Sequence, residues 1–204
     1  MGTLFRILLG LVAATVVVIA GLRARVALVY VEPNVPPPAA AVVCGDDGVT
    51  YPSQGAAEGA GHSVLHASGC GACSNPADVD VLRRTRETLT LDARVCGMRY
   101  FLIGRRAAER CLAPVGFTPA CAACWIDDMA CAITHCTTIC LWSRLIGEPN
   151  NVDGRLNDCL QCDETHCGPE FGRCAGANRR RSGIVSDIAR PAEQIWKGEP
   201  TPTR

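Results

Sequence analysis

The stretch that decides the fold is CAACWIDDMACAITHCTTICLWSRLIGEPNNVDGRLNDCLQCDETHCGPEFGRC, residues 121–174. Eight of its cysteines lie on two halves, residues 124–140 and 159–174, separated by the turn-rich segment GEPNNVDG. Suppose that both halves are helices that fold antiparallel about this turn. Two residues that face each other across the hairpin then have sequence numbers that add up to the same total for every such pair. Four cysteine pairs meet this condition to within one residue, which predicts an αα-hairpin stapled by four disulfides. The pairs are Cys124–Cys174, Cys131–Cys167, Cys136–Cys162 and Cys140–Cys159.

A zinc cluster is the alternative interpretation of these cysteines. Cys121 with Cys124, and Cys159 with Cys162, have C-x2-C spacing, and two such knuckles can form a four-cysteine site. That site would leave the other cysteines of the stretch without a role, so we favour disulfides. The sequence predicts no metal site and no cofactor.

The composition indicates the class of protein. Fourteen cysteines among 204 residues is an even number far above ordinary usage, and the formal net charge is zero. This combination is typical of small domains held by disulfides in an oxidising compartment. The length suits one or two such domains. We expect no nucleic-acid partner.

The amino terminus carries an uninterrupted apolar run over residues 7–22, followed by Arg23 and Arg25. Residues 1–27 therefore read as a signal peptide or a signal anchor that would hold the chain in a membrane. Both alternatives stay open, with cleavage preferred. In either case the cysteines face an oxidising space. We therefore expect the protein to enter the secretory pathway and to be extracellular or membrane-anchored. A proline-rich spacer follows over residues 28–41.

Residues 42–70 read VVCGDDGVTYPSQGAAEGAGHSVLHASGC. This resembles the Kazal protease-inhibitor family, whose modules carry C-G-x-D-G-x-T-Y, an alanine-rich helix and a closing V-x-H-x-G-x-C. The matching residues are Cys44, Gly45, Asp47, Gly48, Thr50, Tyr51, Val64, His66, Gly69 and Cys70.

Only the third and sixth of the family's six cysteines remain in this Kazal-like remnant, which we assign to residues 42–75. The resemblance implies that these two, Cys44 and Cys70, are bonded to each other. The inhibitory loop of the family lies upstream of the third cysteine and is braced by the lost bonds. The standard loop is therefore not expected here. We interpret His62 and His66 as structural or surface residues.

The sequence CGAC, from Cys70 to Cys73, has the spacing of thiol–disulfide oxidoreductases. A redox motif needs a preceding buried strand and a helix that begins at the first cysteine. Glycines flank Cys70, and Asn75-Pro76 follows almost at once, so we interpret these cysteines as structural. A redox protein and a degenerate protease inhibitor remain the alternative functions, and a zinc-binding protein is the third.

In TLTLDARVC, residues 88–96, apolar residues alternate with polar ones, and Tyr100–Ile103 offers a second apolar run. The alternation predicts a short antiparallel β-meander over residues 76–118. Four cysteines remain outside the other pairs, which allows three pairings. Of these we prefer Cys96–Cys111 and Cys73–Cys121.

The tail over residues 177–204 is basic and carries several apolar anchors, so it can dock on the domain or on a partner. The candidate interaction residues are Arg179, Arg180, Arg181 and Trp196. The sequences CDETHCGPEFGRC and GANRRRSGIVSDIAR also resemble Cys-rich secretory-pathway proteins of unicellular algae. That resemblance implies no activity.

The same rule for facing residues places His135 opposite Asp163. His166 lies one helical turn after Asp163. Asp127, Asp128 and Glu170 fall near the far end of the hairpin, which spans residues 119–176. A His/Asp group can bind a metal or act as acid and base, but paired residues on a polar helix face are the simpler interpretation. The chain carries no H-E-x-x-H, P-loop or serine-elbow motif.

The sequence therefore predicts a small, disulfide-rich α+β protein without catalytic residues. Its expected function is to present a rigid interaction surface to an unidentified protein partner, either as a secreted protein or from a membrane through residues 7–22. An accessory subunit of a membrane complex is included in this expectation.

Overall fold

The computed structural model describes residues 2–27, 42–188 and 190–197. The predicted spacer and the end of the predicted tail lie outside these residues. The fold combines many helices with small antiparallel sheets. The helices are α1 (Gly2–Ala27), α2 (Gln54–Gly59), α3 (Pro76–Arg84), α4 (Leu89–Ile103), α5 (Arg105–Leu112), α6 (Pro119–Leu145), α7 (Asp158–His166) and α8 (Gly168–Ala175). The strands are β1 (Val43–Gly45), β2 (Thr50–Tyr51), β3 (Val64–Ala67), β4 (Asn151–Val152) and β5 (Arg155–Leu156).

The first three strands form an antiparallel sheet in the order β2-β1-β3. The turn between β1 and β2 is held by Asp47, whose carboxylate accepts from the backbone N–H of Val49, and by Gly48 at φ +77°. Ser53 caps α2 by accepting from the backbone N–H of Ala56. The disulfide between Cys44 and Cys70 closes this unit, which we call the sheet module, residues 42–74.

The β-meander predicted over residues 76–118 is wrong: the segment forms α3, α4 and α5. Its alternating pattern was short, and a helical spacing of four, three and four residues runs through the same stretch. That spacing joins Leu89, Ala93, Cys96 and Tyr100 on one buried or half-buried face, while Leu91 and Val95 are exposed. The helical period extends over three turns and outweighs the alternation. A disulfide joins Cys96 of α4 to Cys111 of α5.

Helix α6 faces α7 and α8 and is bonded to them by four disulfides with Cα–Cα distances between 4.5 and 5.9 Å. Cys124 is bonded to Cys174, Cys131 to Cys167, Cys136 to Cys162 and Cys140 to Cys159, and a further disulfide joins Cys73 to Cys121. The four hairpin pairs are the same as those predicted from the spacing, and Cys73–Cys121 is one of the two pairs that we preferred among the remaining cysteines.

The second half of the hairpin differs from the expected single helix, because it is divided into α7 and α8 at Cys167. Helix α8 restarts with Gly168-Pro169, where proline occupies the first turn. The linking turn forms a β4-β5 ribbon in which Asp153 and Gly154 have positive φ. Asn157 then begins α7, since its side chain accepts from the backbone N–H of Leu160 and donates to the carbonyl of Pro149.

Helix α1 has two parts with different surroundings. Its carboxyl end packs on α6 and α4, where Val26 is 1% exposed and Arg23 Nε donates to the carbonyl of Thr134 at 2.7 Å. Residues 5–18 are exposed along their whole length. The segment Phe5–Val26 is long and apolar enough to cross a membrane.

Candidate functional site

A cavity of about 240 Å³ lies between α4, α6, α7, α8 and the segment that follows α8. It exists because the disulfides hold α6 against α7 and α8 on one side while α4 packs on another. Residues four apart on α6 therefore turn the same face toward it. Its apolar lining includes Met98, Phe101, Trp125, Met129, Ile133 and Phe171. The cavity has the apolar character of small-molecule sites.

Charged side chains interrupt this apolar lining: five arginines, Glu164 and two aspartates, Asp128 of α6 and Asp163 of α7. Carboxyl oxygens of the two side chains lie within 4.8 Å of each other. Burial, together with the neighbouring charge of Glu164, raises the pKa of Asp163 to about 7. Burial and the charges of Asp163 and Glu164 also raise the pKa of Asp128 well above its ordinary value. Close carboxylates in a medium of low dielectric do not both ionise, so the pair retains a proton near neutral pH.

The cavity wall also contains polar atoms that lack a partner. Trp125 is 9% exposed, and its indole Nε1–H has no acceptor among the described residues. Asp163 Oδ1 is likewise buried without a donor in the described part of the chain. Trp125 is held by Phe117 at a ring-centroid distance of 5.7 Å and by Phe171 at 4.7 Å. Buried polar atoms are hydrogen-bonded as a rule, so a donor and an acceptor at one cavity mark a candidate binding site.

The Asp128–Asp163 pair was missed by sequence reasoning, which placed Asp128 near the far end of the hairpin. Each aspartate lies one helical turn from the Cys131–Cys167 disulfide, on opposite sides of it along the hairpin. The sulfur of Cys167 is within 4.8 Å of a carboxyl oxygen of each. The spacing of each aspartate to its cysteine was the available signal, because residues three or four apart share a helix face.

The other predicted polar residues of the hairpin lie at its surface or in ion pairs. His135 stacks on His166, with ring centroids 5.5 Å apart and planes inclined by 7°. Asp127 accepts from Arg105 Nη1 at 2.6 Å, and Glu170 forms an ion pair with Arg173. These two ion pairs agree with the interpretation of a polar helix face.

The predicted interaction residues of the tail make contacts within the chain. Arg179 donates to Asp187 at 2.7 Å and to the hydroxyl of Thr90 at 2.9 Å. Arg181 donates to the carbonyl of Gly176, and the backbone N–H of Trp196 donates to the carbonyl of Arg180. The described part of the tail therefore packs on its own domain and closes one side of the cavity.

The two remaining candidates lie in the sheet module. Cys70 and Cys73 are bonded to Cys44 and Cys121, so CGAC does not form the internal disulfide that a C-x-x-C oxidoreductase uses. His66 is fully buried. Its Nδ1–H donates to the carbonyl of Ala67, and its Nε2 accepts from the Ser74 hydroxyl, both at 2.7 Å. Burial lowers the pKa of His66, so the ring is neutral and structural.

Comparison with protein families gives a match over part of the chain. Residues 105–197 match the model of a family of unknown function (DUF8771). The matched segment contains α5 to α8, and with them Trp125, Asp128 and Asp163. No curated protein and no solved structure matches the chain.

Proposed function

We propose that the protein is a non-catalytic protein of an oxidising compartment, held at a membrane by α1, whose disulfide-bonded domain presents a rigid surface to another protein. The observation that carries this proposal is the packing of the carboxyl end of α1. Val26 is buried in the core of the domain, and Arg23 is bonded to Thr134. Cleavage after Ala27 would remove both residues, and cleavage before Gly21 would still remove Ile19, which packs against the same core. The packing therefore supports an anchor over the cleavage that the sequence analysis preferred.

The dimensions of α1 bring the domain close to the membrane. At about 1.5 Å per residue, the exposed residues 5–18 span about 21 Å. This is shorter than the hydrocarbon core of a bilayer, which is about 30 Å thick. The domain on which the rest of α1 packs then lies against the membrane surface and not at the end of a free stalk. Transfer of each large apolar side chain of this segment out of water contributes about 1.5–3 kcal/mol.

The carboxyl end of α6 offers a surface for a partner. Trp142, Leu145 and Ile146 lie three and four residues apart on one helix face, and each is more than half exposed. The disulfides order this helix before any encounter, which lowers the entropy cost of binding. We propose that this face contacts an apolar surface of a protein held at the same membrane, where shared anchoring raises the effective concentration.

The anchor is tested on the full chain, translated into microsomes with a carboxyl-terminal tag. We expect the mature chain to retain residues 1–27 and to stay in the membrane pellet after carbonate extraction. Release into the lumen, with a new amino terminus between residues 21 and 28, would contradict the anchor.

The interaction surface is tested by photo-cross-linking in the same membranes. The double variant Leu145→Ser/Ile146→Ser should lose a protein cross-link that the wild type forms. The matched control is Leu91→Ser/Val95→Ser, which removes two exposed apolar side chains of α4 and should keep that cross-link. Equal cross-linking of both variants would contradict the proposed face. Loss of lipid cross-links alone would show that the bilayer covers it.

The Kazal resemblance of residues 42–70 is kept as a proposal about the origin of the sheet module. Its support is a three-stranded sheet with one short helix, closed by the bond between Cys44 and Cys70. The region that would correspond to the inhibitory loop lies outside the described residues. Inhibition of a protease is therefore a less supported function than protein interaction.

A further inference from the structure

We propose that the cavity beside the hairpin binds a small organic cation, namely a protonated amine with an apolar body, whose ammonium group lies between the carboxyl groups of Asp128 and Asp163. This inference is independent of the anchor and of the partner surface proposed above. It rests on the cavity, on the carboxyl pair and on the unpartnered Trp125.

The charges nearest the two aspartates favour a cation at this end of the cavity. The charged neighbours that shift the pKa values of Asp128 and Asp163 are acidic. Three of the five arginines that line the cavity are paired with other groups. Arg190 pairs with Glu164, Arg179 pairs with Asp187, and Arg94 donates to the side-chain oxygen of Asn150. Arg144 and Arg180 also line the cavity, but neither contributes to the shift of either aspartate.

The walls of the cavity favour a ligand that has an apolar part. Phe101, Trp125 and Phe171 present aromatic rings, and Met98, Met129 and Ile133 present aliphatic surface. Aromatic faces also attract an ammonium group. A cavity of about 150 Å³ is known to hold benzene, so a volume of about 240 Å³ accommodates a ring with a short amine chain.

The indole of Trp125 adds a further requirement. Its Nε1–H is buried without an acceptor in the described residues, so a ligand that also carries a hydroxyl or carbonyl oxygen would satisfy it once the ring turns the N–H toward the cavity. Such a ligand would fulfil three conditions at once: the negative carboxyl pair, the apolar wall and the free donor.

A metal ion fits the site less well than an amine. The third potential ligand near the two aspartates is the sulfur of Cys167, which is bonded to Cys131 and offers no thiolate. Ca²⁺ takes six to eight oxygen ligands, and Glu164 is already paired with Arg190. Two carboxyl groups in an apolar cavity suit one ammonium group, whose three N–H donors can be shared between them.

The test uses the full oxidised chain in detergent and three probes of similar shape: 2-phenylethylamine, 2-phenylethanol and phenylacetate. Titration calorimetry at pH 7.5 should show that the amine binds at least about tenfold more tightly than the alcohol, because its hydrogen bonds are charge-assisted. Phenylacetate should not bind. The affinity of the amine should fall when the pH is lowered to 5.5, since protonated carboxyl groups must lose protons to receive the cation.

Asp163→Asn and Asp128→Asn should each weaken the amine at least about tenfold and leave the alcohol unchanged. Both variants replace a half-buried carboxyl group by a neutral amide of the same shape, so they should fold with all seven disulfides. Asp158→Asn, an exposed carboxylate of the same α7 helix, is the matched control and should bind the amine like the wild type.

Three results would overturn the proposal. Equal affinity for the amine and the alcohol would show an apolar cavity without cation selectivity. Failure of all three probes to bind would show that the cavity takes no ligand of this shape. Displacement of the amine by Ca²⁺ or Mn²⁺ at stoichiometric concentration would identify a metal site.

Discussion

The sheet module and the hairpin differ in whether the buried polar atoms of a key side chain are hydrogen-bonded. In the sheet module, both ring nitrogens of the fully buried His66 are hydrogen-bonded. In the hairpin, Asp163 has an unpaired buried oxygen and lies beside a second carboxyl group, that of Asp128. One disulfide lies within the sheet module, whereas four cross the hairpin. The comparison teaches that a region with several disulfides can retain an unfavourable buried polar group, because the cross-links offset its cost in free energy.

The largest expected effect comes from removing the disulfide of the sheet module. Cys44→Ser/Cys70→Ser should lower the free energy of local unfolding by about 2–4 kcal/mol, because no second bond lies within this module. The matched variant Cys140→Ser/Cys159→Ser removes one bond of the hairpin. The sequence separation of the innermost bonded pair of the hairpin then rises only from 19 to 26 residues. This should cost less than about 1 kcal/mol.

Limited proteolysis with mass spectrometry of the fragments measures this difference. The first variant should be cleaved within residues 42–70 at least about tenfold faster than the wild type. Equal protection of both variants would show that packing, and not the number of cross-links, separates the two regions.

A smaller effect is expected from one substitution made at two aspartates, the fully buried Asp78 and the half-buried Asp163. Asp78 accepts from the backbone N–H and hydroxyl of Thr118 and from the side-chain amide of Asn75. Asp78→Asn should therefore lower the free energy of unfolding by about 1–3 kcal/mol. The NH2 group of the asparagine would face an N–H or O–H donor that it cannot accept from. Asp163→Asn should instead stabilise the protein by about 1 kcal/mol at pH 8, because it removes a buried charge that lacks a partner.

Chemical denaturation of the oxidised chain, followed by circular dichroism, measures both free energies of unfolding. A loss of stability in Asp163→Asn as large as that in Asp78→Asn would show that the carboxyl group at 163 has a structural partner. The contrast between satisfied and unsatisfied buried groups would then fail.

The third expected effect is the dependence of stability on pH, which should have opposite signs in the two regions. The folded pKa of Asp163 is raised from 3.8 to about 7, so its contribution to stability is present at acidic pH and is lost as the pH rises through this window. The folded pKa of His66 is lowered from 6.5, so its contribution is present above 6.5 and is lost as the pH falls.

Free energies of unfolding measured between pH 4.5 and 8 separate the two contributions. Relative to the wild type, Asp163→Asn should reduce the loss of stability toward pH 7, with the remainder due to Asp128, and His66→Gln should reduce the loss below pH 6.5. An unchanged slope in Asp163→Asn would mean that this carboxyl group ionises normally in the folded protein.

Helix α4 shows where sequence reasoning fails. Residues 88–95 alternate like a strand, and a strand was predicted, but the alternation covers too few residues to exclude a helix. Leu89, Cys96 and Tyr100 are buried together only because α5 and α6 pack on that face. The period of a short segment is ambiguous until its neighbours decide which side chains are covered.

The sequence by itself determined the cysteine pairs of the hairpin, because rise per residue is a local property and matched spacings leave few partners within reach. It also determined the apolar character of α1 and the structural nature of His66. Only the tertiary structure decided that α4 is a helix, that the tail closes on its own domain, and that Asp128 lies against Asp163. These features depend on how far each side chain reaches and on which other elements cover that side chain from water. The spacing of residues within one segment of the chain specifies neither.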